Sequence, residues 1–177
     1  MISRYHYLDP FDDYDLIEAY SGIGFEILDE VPETDVVLVA CGGGGLLSGV
    51  AAGIRSANGK KNNTKVYGVE PVTSNVMYRS FEEHYPVTLP GVKSLAAGLC
   101  SPALVDGILL VDDLEIVEAI KFLYFQMATV VEPAGAAPLA ALMFGKVPLQ
   151  DLEGKNIVVV ISGRNVTAED LERILNK

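Results

Sequence analysis

Tryptophan is absent from this chain, histidine and cysteine occur twice each, and basic residues are outnumbered 24 to 13 by acidic ones. The last two shortages each narrow the function. Cys41 and Cys100 stand far apart, with no metal-ligand spacing around either, and a disulfide between them is disfavoured in a reducing compartment; both read as small buried hydrophobes. A net charge of -11, with no Lys/Arg stripe interleaved with aromatics, argues against nucleic acid as a partner. Lys60-Lys61, beside asparagines, reads as a solvated turn. No apolar run reaches the roughly 20 residues of a membrane span, and residues 1–7, with Arg4 and His6, lack the apolar centre of a signal peptide. A cytoplasmic protein without membrane contact is expected.

What the chain does have is apolar content: half of its 177 residues are hydrophobic, enough for one domain (1–177) with one sizeable core. The most informative stretch is Asp35-Val36-Val37-Leu38-Val39-Ala40-Cys41, followed by Gly42, Gly43, Gly44 and Gly45 and then Leu46-Leu47-Ser48-Gly49. A β-branched run bounded by glycine suits a buried strand, and Leu46, Val50 and Ile54 recur at helical spacing. Four glycines leave successive backbone N–H groups bare and permit φ > 0, so the loop can wrap an anion that the helix start also attracts. The spacing is neither G-x-G-x-x-G nor a Walker loop, since Leu46-Leu47 stand where Lys-Ser/Thr would be required. On the loop alone, a strand-to-helix connection without a ligand remains open.

Helical pattern starts at Asp12 or Asp13 and runs to about Asp29, with Ile17, Phe25 and Leu28 as its buried face. Gly22 and Gly24 weaken its middle by about 1 kcal/mol each relative to alanine, so close packing or a ligand is expected there. A helix over residues 46–57, a strand over 65–69 ending at Glu70-Pro71, and helical pattern over 74–81 come next. Residues 82–107 carry little periodicity. A strand at 108–111 leads to a capping box, Asp112 with Glu115, and to the stripe Ile116, Ile120, Leu123 and Met127. Pro133 opens a small-residue helix able to pack unusually close to a neighbour. A strand at 156–161 and a helix capped by Thr167 with Asp170 complete the chain. Strands that alternate with helices and read as continuous apolar runs predict an α/β fold, a parallel twisted sheet with helices on both faces. Ligands bind beyond the carboxyl ends of such strands.

Taken together, Cys41-Gly42-Gly43-Gly44-Gly45-Leu46-Leu47-Ser48-Gly49, Val66-Tyr67-Gly68-Val69-Glu70-Pro71, Val131-Glu132-Pro133-Ala134-Gly135-Ala136-Ala137 and Val160-Ile161-Ser162-Gly163-x-Asn165-Val166 resemble the serine racemase and serine/threonine dehydratase family of pyridoxal-phosphate (PLP) enzymes, fold type II. The lead-in Tyr7-Leu8-Asp9-Pro10-Phe11 is similar too. The resemblance covers the whole chain in order and implies most of the large domain of that fold. It implies that Gly42, Gly43, Gly44 and Gly45 hold the PLP phosphate and that Ser162 faces the pyridine nitrogen. Gly98 and Glu132 match positions approaching the ring face and edge; a second reading of Glu132 is a cap before Pro133.

Departures from the family pattern narrow the expected activity. The family carries its Schiff-base lysine, its re-face serine and an asparagine-bearing substrate loop in an upstream half that this chain lacks. Lys60, Lys61, Lys65, Lys93, Lys121, Lys146, Lys155 and Lys177 are present, but none sits in a matching motif, so no catalytic residue is assigned. Some members bind a divalent cation through the acid of Glu-Pro and an acid six residues on; here those positions are Glu70 and Val76, and one carboxylate is a thin site for a metal. The resemblance implies a dehydratase (ammonia-lyase) or racemase acting on serine/threonine-type hydroxy amino acids, with this chain inactive alone. The alternative is a non-catalytic PLP- or phosphate-binding module. A homo-oligomer is expected or, in the alternative reading, pairing with a full-length relative.

Overall fold

Strand β1 (Val36–Ala40) is central because it is apolar on both faces, with Val36, Val37, Leu38 and Val39 all buried. In the computed structural model, which describes residues 8–9, 13–57, 63–87 and 104–177, it pairs in parallel with β2 (Lys65–Pro71) and with β4 (Ile157–Val159). Strand β3 (Gly107–Val111) pairs in parallel with the outer side of β2, giving the order β3-β2-β1-β4. Val37, Val39 and Val66 point to one core and Val36, Leu38 and Tyr67 to the other, the period of two that a pleated strand imposes. The first core is covered by α1 (Tyr14–Glu30), α2 (Gly45–Ala57) and α3 (Val76–Glu83). The opposite face carries α4 (Asp113–Met127), α5 (Pro133–Met143) and α6 (Ala168–Leu175). Helices thus cover both faces of a parallel sheet, as the alternation of patterns predicts.

Helix starts are set by the expected side chains. Asp13 accepts from the Leu16 N–H at 3.2 Å, the Asp112/Glu115 capping box is fully formed, and the Thr167 hydroxyl accepts from the Asp170 N–H at 3.1 Å. The glycines of α1 have a packing reason. A Cβ on Gly24 would run into the backbone of α2 at Val50, Ile54 and Gly53, and one on Gly53 would strike the Ser21 carbonyl, so the two helices meet backbone to backbone. That seam turns Gly24, Ile27 and Leu28 inward and leaves Phe25, about 100° round the helix, exposed, contrary to its expected burial. Met127 is likewise exposed, because α4 ends there with Ala128 left-handed at φ 51°.

Strand β4 is shorter than the apolar run at 156–161 predicts. It begins under a clamp in which Asp35 accepts from Lys155 Nζ at 3.0 Å and from the Asn156 N–H at 2.9 Å. The Val160 N–H still donates to the Leu38 carbonyl at 3.0 Å, after which the chain leaves the sheet. The irregular pattern at 82–107 is bounded by α3, which ends in left-handed His84 at φ 57°, and by Gly107. Gly98, Cys100, Lys60, Lys61 and Lys93 lie outside the described residues.

Candidate cofactor site at the carboxyl edge of the sheet

Beyond Ala40 the chain makes its last ladder bond, from the Cys41 N–H to the Val69 carbonyl at 2.9 Å, and enters the glycine loop. Gly44 turns it at φ 90°, a conformation that an L side chain resists, and its carbonyl accepts the Ser48 N–H at 2.8 Å in the first turn of α2. That turn contains no acidic residue, so no carboxylate of the helix itself offsets the positive end of its dipole. A Cβ on Gly42 would meet nothing within 4 Å, which marks the open side of the loop. This side borders a cavity of about 470 Å³, within the range of small-molecule sites, lined by Gly42, Gly43, Glu70, Asp113, Pro133 and Ala134 among others.

Ser162 lies past the end of β4, and β4 is the parallel neighbour of β1, so the hydroxyl and the glycine loop emerge on the same edge of the sheet. Two strands with opposite directions would have put them at opposite ends. Helix α5 joins the two places: Pro133 and Ala134 line the cavity, and the next residue, Gly135, backs directly onto the Ser162 carbonyl, where a Cβ would overlap it. This is the close neighbour that the small-residue helix anticipates. Ser162 itself is half-buried and, like Glu132, Gly44 and Gly45, is not part of the cavity wall.

Glu132 is the N-cap residue of α5, but its side chain does not cap that helix. Its backbone carbonyl takes the Gly135 N–H at 3.0 Å, while its carboxylate Oε2 accepts the Asn165 N–H at 2.7 Å and its own N–H donates to the Gly163 carbonyl at 3.2 Å. Gly163 sits at φ 74° with its Cα against the Glu132 carboxyl group. The cap reading therefore holds for the backbone of Glu132 and fails for its side chain. Neither Gly135 nor Asn165 has a role that the sequence alone announces, because each acts on a segment about 30 residues away along the chain.

Glu70 is 1% exposed at the end of β2. Its two oxygens accept the Met77 N–H at 3.0 Å and the Tyr78 N–H at 2.8 Å, so the carboxylate caps the start of α3. Burial pushes its carboxyl up to about 7 against the lowering effect of those two N–H groups. No group of three or more His, Cys, Asp or Glu that could hold a metal ion is assembled among the described residues.

PLP fits this edge in part. A phosphate would be met by the glycine loop and by a helix start without acidic residues, and Ser162 follows the end of the adjacent strand on the same edge. The aldehyde end finds no partner: among the described residues no lysine lines the cavity, and Lys65, Lys121, Lys146 and Lys155 are paired with Asp106, Glu118, Glu115 and Asp35.

A parallel α/β sheet with a glycine loop at the carboxyl edge of its central strand is the class of fold in which ligands bind beyond the strand ends. Residues 2–163 match the family described as pyridoxal-phosphate dependent enzyme, and the chain belongs to that family. It is 35% identical to L-threonine ammonia-lyase of Thermotoga maritima over 182 residues, 97% of this chain and 44% of the relative. To serine racemase of Dictyostelium discoideum it is 31% identical over 182 residues, 96% of this chain and 55% of the relative. Its fold matches the processed form of threonine deaminase isoform 2 from Solanum lycopersicum with a TM-score of 0.80 and 31% identity, over 96% of this chain and 52% of that one. The chain spans about half the length of the curated relatives it matches.

Proposed function

We propose that this chain is the phosphate-gripping part of a PLP-dependent dehydratase (ammonia-lyase) or racemase for serine/threonine-type hydroxy amino acids, and that alone it holds PLP without turning substrate over. The observation that carries the reading is that the glycine loop and Ser162 leave neighbouring parallel strands on one edge. Gly42, Gly43, Gly44 and Gly45 bind the phosphate and Ser162 orients the ring; Gly98, matched to the ring face by the resemblance, lies outside the described residues. When bound, PLP supplies an electron sink for the α-carbon of an amino acid. The neutral hydroxyl of Ser162 would offer the ring nitrogen a hydrogen bond without holding a proton there, and so would leave a weaker sink suited to substrates with a departing β-hydroxyl. Among the described residues, none in the cavity wall is a lysine able to take the α-proton.

That last observation favours a second reading, a non-catalytic PLP- or phosphate-binding module that acts by pairing with a full-length relative. Titration of the purified chain with PLP, with and without inorganic phosphate as competitor, tests the shared part. Saturable binding weakened by phosphate is expected, and binding indifferent to phosphate removes the cradle from the account. Assay of 2-oxo acid release from serine and threonine should show no turnover; measurable turnover overturns the inactivity. Mixing the chain with an active full-length relative separates the two readings, since only the second expects that enzyme's rate to change.

A further inference from the structure

We propose that Glu132 is a positioning residue that sets the place of Ser162 rather than a group that touches the cofactor. The inference rests on the PLP reading above. Four observations converge on the segment 162–165. The carboxylate accepts the Asn165 N–H at 2.7 Å, and the backbone N–H of Glu132 donates to the Gly163 carbonyl at 3.2 Å. Gly163 is left-handed at φ 74° with the Glu132 carboxyl group against its Cα. On the other side, Gly135 lets α5 sit on the Ser162 carbonyl with no atom between.

Ser162 lies three residues past β4, beyond the sheet's own hydrogen bonds. Its backbone is therefore held from α5, by Glu132 at one end of the segment and Gly135 at the other. A charge-assisted bond to a backbone N–H is among the stronger ones available, and here it goes to the loop, outside the cavity wall. Glu132 acts on the ring only through Ser162.

The test is a double-mutant cycle between Glu132→Ala and Ser162→Ala in the full chain, read by PLP affinity, by the absorption maximum of bound PLP and by hydrogen exchange at Asn165. Glu132→Ala should expose the Asn165 amide to exchange, weaken PLP binding about tenfold and shift the absorption. In the Ser162→Ala background the same substitution should change affinity and absorption no further. Glu132→Gln keeps an oxygen for the Asn165 N–H and should stay within about threefold of wild type.

Effects that add in the double variant overturn the proposal, because they place Glu132 on the cofactor directly. An exposed Asn165 amide with unchanged affinity and absorption also overturns it, because loop order then does not matter to the ring. Should Glu132→Ala fail to fold, Glu132→Gln decides: a large loss of PLP with Asn165 still protected means the charge, not the loop, was at work. If the wild-type chain shows no phosphate-competed PLP binding, the cofactor reading itself fails and the proposal falls with it. An additive cycle on a wild type that does bind PLP removes the role of Glu132 alone.

Discussion

Glu70 shows how much the partners of one residue add to what its motif says. As the acid of a Glu-Pro pair it stands alone, a thin site for a cation, and in the fold its two oxygens accept the N–H groups of Met77 and Tyr78. Burial raises its carboxyl from 4.5 to about 7 in the folded chain. Between those two values the folded state binds more protons than the unfolded state, so the contribution of Glu70 to stability is present below 4.5 and lost as pH rises through 7. At roughly 1.4 kcal/mol per pH unit the loss is about 3 kcal/mol. Asp35, Asp106 and Asp170 are held below the ordinary aspartate value, and their stabilisation is lost only as pH falls below that value, outside this window. Urea melts of the wild type should therefore show stability falling from pH 5 to pH 8, and Glu70→Gln should flatten that fall. Parallel pH profiles for the two proteins would mean that Glu70 is charged in the fold at no cost.

At the scale of the elements, the pairing of α1 with α2 is decided by where glycine is needed and where it is not. A Cβ on Gly24 would meet Ile54 N at 2.8 Å and Gly53 Cα at 3.0 Å, backbone atoms that cannot turn aside, whereas one on Gly22 meets nothing within 4 Å. Gly24→Ala should cost about 2 to 3 kcal/mol as the helices are pushed apart. Gly22→Ala should raise stability by up to about 1 kcal/mol through helix propensity alone; equal effects in thermal melts would deny the seam. The sequence showed that the middle of α1 needed a reason without showing that the reason was α2. The same boundary runs through the whole fold. Caps at Asp13, Asp112 and Thr167 and the start of α5 at Pro133 were legible because they depend on residues within four positions. The inward face of α1 and the end of β4 depend on tertiary neighbours. So too at the site: the glycine loop is a local signal, while the grip of Glu132 on Asn165 exists only because α5 is carried back against the end of β4.

For the molecule as a whole, the sheet ends on one side at β4, a three-residue strand whose outer edge is unpaired among the described residues. Edges of this kind are protected by charge or cover; here Lys155 and Asn156 are drawn to Asp35 at its start, and Ile161 is left exposed beyond its end. On the face bearing α4, Leu114, Phe122, Phe125 and Met127 are exposed as well, with Phe125 at 64%. A helix apolar on its outer side as well as its inner side asks for a partner. The isolated chain should therefore self-associate, with a light-scattering mass that rises with protein concentration. Because every copy carries a net charge of -11, repulsion opposes the contact, and added salt should strengthen association by screening it. Phe125→Lys adds a cation to a side chain that is largely in water, so it should lower the mass while moving the melting temperature little. A single monomeric species across a hundredfold range of concentration, at low and high salt, would show that these apolar groups are tolerated by the fold and wait for nothing.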